Sequence, residues 1–153
     1  MTLGWLLAAL HLLALGVGLG AVWARAAALR GPLDPAGLRR VFAADGWWGL
    51  AALLWLSTGL WRLLAGTEKP TAYYTHNPVF WTKMALFACI LALELRPMLT
   101  LIRWRRLAAA GGAPPDAGAG RLLAGISYAE AGLVVLMVLA ATAMARGYGL
   151  RAG

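Results

Sequence analysis

The chain has 153 residues, of which 61% are hydrophobic and 13% charged, and its net charge is +8. A water-soluble domain is nearer half apolar and a quarter charged, so this composition belongs to a membrane protein. Cys89 is the single cysteine, which excludes an intrachain disulfide framework or thiolate cluster. The basic residues border apolar runs, which favours anionic lipid over nucleic acid.

A bilayer core of ~30 Å requires about 20 apolar helical residues. The first such run covers residues 3 to about 28, with His11 as its only ionisable group before Arg25. No basic residue precedes it, and it outruns a signal peptide, so it reads as a span. Arg30-Gly31-Pro32 terminates it. Asp34-Pro35 is a cap followed by proline. Residues 36–44 set Leu38, Val41 and Phe42 against Arg39 and Arg40, which predicts a short interfacial amphipathic helix.

Asp45 is the expected cap of a second span, residues 46–64. A loop with Gly66, Thr67, Glu68, Lys69 and Pro70 follows, and Asn77-Pro78 starts a third span, residues 78–102, which contains Pro97. Residues 111–120, GGAPPDAGAG, read as a flexible linker. A fourth span covers residues 122–145 and closes at Arg146-Gly147. The expectation is one all-α transmembrane domain, a bundle of four antiparallel helices in the lipid bilayer.

Eight arginines (Arg25, Arg30, Arg39, Arg40, Arg103, Arg105, Arg106 and Arg121) fall in or beside the first-to-second and third-to-fourth loops. Positive charge marks the cytoplasmic side, so both termini are expected outside. Tryptophans fit this frame. Trp5, Trp61 and Trp81 fall at the outer boundary, Trp23, Trp47, Trp48 and Trp104 at the inner one, and Trp55 alone in the middle.

Ionisable groups within spans face the bundle interior and need partners. At ~1.5 Å per residue, His11 lies roughly 12 Å below Leu3 and Lys83 roughly 8 Å below Pro78. With Arg62 they form an expected outer cluster, whose anions are either lipid phosphates or a bound anionic ligand such as the propionates of a porphyrin. Glu94, Arg96 and Glu130 form an inner cluster, either structural ion pairs that set helix register or a proton or ion path. Helical stripes support both groupings: Lys83, Phe87, Ile90 and Glu94 share one, and Glu130, Val134, Met137, Ala141 and Met144 share another. His11 is either a hydrogen-bonded core residue or an axial ligand of haem iron, with Met137 at a similar depth. Gly18 and Trp55 would shape a flat pocket beside it. No nucleotide-binding loop, HExxH pair or GxSxG elbow is present.

The ordered segments HLLALGVGLG, YYTHNPVFWTKMALF, LELRPMLTLIRW and ATAMARGYG resemble a bacterial family of small membrane proteins of unknown function, over nearly the whole chain. The run His76, Asn77, Pro78, Phe80, Trp81 and Lys83 is its most specific part. The resemblance implies a four-span bundle in the cytoplasmic membrane. A weaker likeness joins the first-span His11 and the third-span Lys83 to CopD-like membrane proteins, which include HemJ-type protoporphyrinogen oxidases. That likeness implies a b-type haem on His11. The leading expectation is therefore a membrane redox-type protein with His11 on the iron and Lys83 and Arg62 on the propionates. The alternatives are a non-enzymatic bundle that assembles with another membrane protein, with a second copy or with lipid, and a small ion or proton transporter using Glu94 and Glu130.

Overall fold

Long apolar stretches without internal breaks form helices because lipid leaves backbone groups no other partner. The computed structural model describes residues 2–64, 76–113 and 115–149. It contains four long helices: α1 (Thr2–Arg30), α2 (Pro35–Leu64), α3 (Pro78–Ala109) and α4 (Ala117–Ala145). Each has 29 to 32 residues, or about 45 Å of length, against a bilayer core of ~30 Å. By length and composition α1, α3 and α4 qualify as membrane spans. Helix α2 carries Arg39, Arg40, Asp45 and Arg62, and falls outside that group.

The caps follow the sequence. Asp34 Oδ1 accepts the Gly37 N–H at 2.7 Å, and Asn77 Oδ1 accepts the Val79 N–H at 2.8 Å. Asp116 Oδ2 accepts the Ala119 N–H at 3.1 Å, so α4 begins at Ala117, inside the stretch expected to be a linker. Pro97 is accommodated within a continuous α3. The expected outer loop at 65–75 and Arg151 lie outside the described residues.

One boundary differs from expectation. Residues 36–44 do not form a separate short helix; they run without a break into the next segment as one 30-residue helix. Asp45 is therefore not a cap. Between Leu38 and Asp45 there is no glycine or proline to interrupt the helix. The Asp45 carboxylate is also taken by two arginines, as described below.

Helix α1 packs along α2 and α4, α3 packs along α4, and α2 meets α3 only narrowly. The outward faces are greasy: Leu12, Leu13, Leu53 and Leu99 are each more than 60% exposed. That much exposed apolar surface suits lipid, not water. Inside, the core forms two layers. One holds Leu29, Leu33, Leu38, Val41, Leu101, Trp104, Leu123 and Ala124 at the arginine-rich end. The other holds Ala21, Val22, Trp48, Ile90, Ala131, Val134 and Met137. Trp48 and Trp104 are thus buried between helices, whereas Trp23 and Trp47 face outward as boundary residues do. Gly120 permits the close crossing of α4 over the end of α1, since an added Cβ would lie 2.9 Å from the Leu29 carbonyl oxygen.

Candidate functional site

Between the two apolar layers, every helix contributes a polar side chain. Arg25 follows Val22 on α1, Asp45 precedes Trp48 on α2, Glu94 follows Ile90 on α3, and Ser127 and Glu130 precede Ala131 on α4. They converge on the Arg25 guanidinium, which is completely buried. Its Nη1 donates to Asp45 Oδ1 at 2.8 Å and to Glu94 Oε1 at 2.9 Å. Its Nη2 donates to Glu94 Oε2 and to Glu130 Oε2, both at 2.7 Å. Its Nε donates to Ser127 Oγ at 3.1 Å. Glu94 is held bidentately, the geometry for which arginine is suited and lysine is not. The Trp48 ring lies 6.0 Å from the guanidinium carbon.

Charge does not balance within this cluster. Arg25 faces three carboxylates, and among the described residues the only other cation joined to them is Arg105, whose Nη2 donates to Asp45 Oδ2 at 2.8 Å. Two positive groups thus meet three negative ones. Burial is graded: Asp45 and Glu94 side chains are 18% and 20% exposed, and Glu130 is sealed. Glu130 Oε1 is buried with no hydrogen-bond partner. The Glu94 and Glu130 oxygens share one nitrogen of Arg25, so they lie within a few ångström of each other.

The expected inner cluster is therefore present with a different cation. Glu94 and Glu130 are brought together, but Arg96 is not with them. It is exposed and forms no ion pair among the described residues. Residues two apart on a helix point to different faces, so Arg96 cannot turn inward with Glu94. By sequence alone Arg25 counts with the loop charges and Asp45 as a cap. A signal was available: Gly18, Val22, Arg25 and Leu29 recur at helical spacing on the small-residue face of α1.

The expected outer cluster is looser. His11 is half-buried between α1 and α2, with Nδ1 3.0 Å from Thr58 Oγ1. Thr58 donates its own proton to the Leu54 carbonyl at 2.6 Å, so its oxygen accepts from a protonated His11 Nδ1. Gly59 gives the imidazole room, because an added Cβ would come within 3.0 Å of His11 Cε1. Trp55 stacks on His11 at 5.7 Å and meets Phe87 of α3 edge-on at 5.8 Å. Lys83 sits 5.8 Å over the Phe80 ring and within electrostatic range of Arg62. Met137 is buried in the apolar layer with Ile90 and Val134.

The space beside Gly18 is closely packed in this structure. Gly18 faces Ala51 and Trp48 directly, with an added Cβ 3.4 Å from each. The cavity lined by Ala14, Gly18, Trp48, Ala51 and Trp55 is about 10 Å³, room for roughly one water. Among the described residues no group of three or more His, Cys, Asp or Glu side chains is arranged to hold a metal ion.

The His76–Lys83 motif has a structural account in part. Asn77 is fully buried, and besides capping α3 its Nδ2 donates to the Tyr148 carbonyl at 3.2 Å. Gly149, at φ +85°, leaves the space that Asn77 fills. The turn at Tyr148 and Gly149 that follows α4 is thereby clasped to the start of α3.

No curated protein and no solved structure matches the chain. A family profile described as "Predicted membrane protein (DUF2214)" matches residues 3–149.

Proposed function

The chain belongs to this DUF2214 family of predicted membrane proteins, and on that premise we propose that it is a four-span protein whose Arg25 cluster takes up and releases a proton. In this reading α2 is the fourth span. It is as long as the others and has no charge between Asp45 and Arg62. The arginine-rich end faces the cytoplasm of a bacterial inner membrane, in line with the positive-inside rule.

One observation carries the proton reading: three carboxylates meet two arginines, and the sealed Glu130 keeps one oxygen without a partner. A net charge in a low-dielectric interior is costly. One proton on the Glu94–Glu130 pair makes the cluster neutral. Glu130 Oε1 is its seat, since the other Glu130 oxygen is engaged with Arg25. Glu94, partly exposed beside it, is the route in and out. Buried acid chains of this kind serve as proton relays in membrane proteins.

A second reading has its own support. Arg25 ties all four helices together, which is what a purely structural keystone does. Infrared difference spectroscopy of the reconstituted protein between acidic and neutral pH separates the two. The proton reading expects a carboxylic-acid stretching band that disappears in Glu130→Gln. A spectrum without such a band, or a band unchanged in both Glu94→Gln and Glu130→Gln, leaves the keystone reading alone. Where the band is present, proton flux into proteoliposomes distinguishes transport from binding. Haem ligation by His11 gains no support from the α1–α2 packing.

A further inference from the structure

Helix α3 carries one charge that the bundle leaves on its outer surface. Arg96 lies seven residues before Arg103, the first basic residue at the end of the helix, and so roughly 10 Å farther into the membrane. It is exposed, and among the described residues it makes no ion pair or hydrogen bond. An arginine on the lipid face of a span is costly unless it reaches headgroups or an acid. The nearest headgroups lie toward the C-terminal end of α3. Side chains of a helix lean toward its N-terminus, so the Arg96 side chain sets out in the opposite direction. An acid on a neighbouring helix is the remaining partner.

Each acid among the described residues is already engaged. Asp34 and Asp116 cap helices, and Asp45, Glu94 and Glu130 are held by Arg25. A second copy packed α3 against α3, about an axis normal to the membrane, would set two Arg96 guanidiniums side by side at one depth. The occupant that complements this charge is therefore a helix of another protein. The surface beside Arg96 admits one. Ala85, Cys89 and Ala92 precede it at helical spacing, and all three are exposed. Small side chains let two helices approach closely in lipid, where polar groups then bond across the contact.

We propose that the face of α3 formed by Ala85, Cys89, Ala92 and Arg96 receives a transmembrane helix of a partner protein, whose carboxylate pairs with Arg96. This face is separate from the Arg25 cluster and does not depend on proton uptake there.

Cys89 is the single cysteine and lies on this face, so it can report on contact there. The full-length chain is reconstituted in phosphatidylcholine vesicles with a synthetic leucine–alanine transmembrane peptide that carries one cysteine and, seven residues farther along, one glutamate. Oxidation traps the pair as a disulfide through Cys89. The glutamate peptide is expected to cross-link roughly tenfold more than a glutamine peptide. The preference should vanish in Arg96→Leu and persist in Arg103→Gln, which removes an exposed arginine of the same helix nearer the membrane edge. It should also persist in phosphatidylglycerol vesicles. Equal cross-linking of the two peptides, or a preference that survives Arg96→Leu, overturns the partner site. Loss of the preference in phosphatidylglycerol overturns it too, because Arg96 would then reach lipid phosphates. Cross-links mainly between two copies of Cys89 would give the face to a second copy instead and overturn it as well. Because Arg96 is exposed, the Arg96→Leu variant should fold, and a melting temperature that does not fall checks that it does.

Discussion

The two polar regions of the bundle place ionisable side chains among apolar helices in opposite ways. Around Arg25, one cation gathers partners from every helix, and each of its nitrogens has at least one acceptor. Around His11, the contacts described are a hydrogen bond from α1 to Thr58 of α2 and aromatic packing by Trp55 and Phe87. The first region is a closed network, in which removing one member strands the others. The second is a set of separate contacts, each lost on its own. Burial accounts for the difference. Arg25 and Glu130 have no access to solvent, whereas His11, Arg62 and Lys83 are only half-buried and keep an outlet toward the end of the bundle.

That contrast fixes the order of mutational effects. Arg25→Leu should be the most damaging change, because it leaves buried carboxylates uncompensated. A loss of about 3–5 kcal/mol is expected, read as a large drop in melting temperature in detergent. Glu130→Gln added to Arg25→Leu should recover part of that loss, and no recovery would mean that the network is not closed. Thr58→Val should cost about 1–3 kcal/mol, since His11 Nδ1 loses its acceptor while the rest of the outer region stays in place. An effect as large as that of Arg25→Leu would erase the contrast. Asn77→Ala should cost about 1 kcal/mol through loss of the α3 cap and of the tie to Tyr148, visible as a small drop in melting temperature and faster proteolysis in the turn after α4. Arg105→Gln should cost about 0–1 kcal/mol, because that pair is partly exposed. An absorption spectrum sharpens the outer half of the comparison. In protein from haem-replete cells, a Soret band abolished by His11→Ala would assign a haem to His11, and a spectrum without the band would leave His11 as a packing and hydrogen-bonding residue.

Much of this architecture was legible in the sequence. Four long helices, their caps at Asp34 and Asn77, and the inward stripes of α3 and α4 follow from apolar run lengths and helical spacing. The union of Glu94 with Glu130 was also readable from depth. Their cation was not. Arg96 is nearest to Glu94 in sequence but on another face, and Arg25 lies at a helix end, where a long side chain normally reaches toward water. Whether such an arginine snorkels or folds inward depends on acids 69 and 105 positions away, which no local pattern reports. Asp45 was obscured similarly: a carboxylate next to glycine looks like a helix start, whereas its oxygens are taken by two arginines within a continuous α2.

The spacing of the Arg25 partners also bears on biogenesis. The chain is made from its N-terminus, and the acids that neutralise this guanidinium emerge 20, 69 and 105 residues later. Until the second helix is made, none of these acids is present and the guanidinium has no partner within the chain. A chain that stops before Asp45 leaves this guanidinium without any of its acids, whereas one that stops just before Glu130 already has its two arginines matched by Asp45 and Glu94.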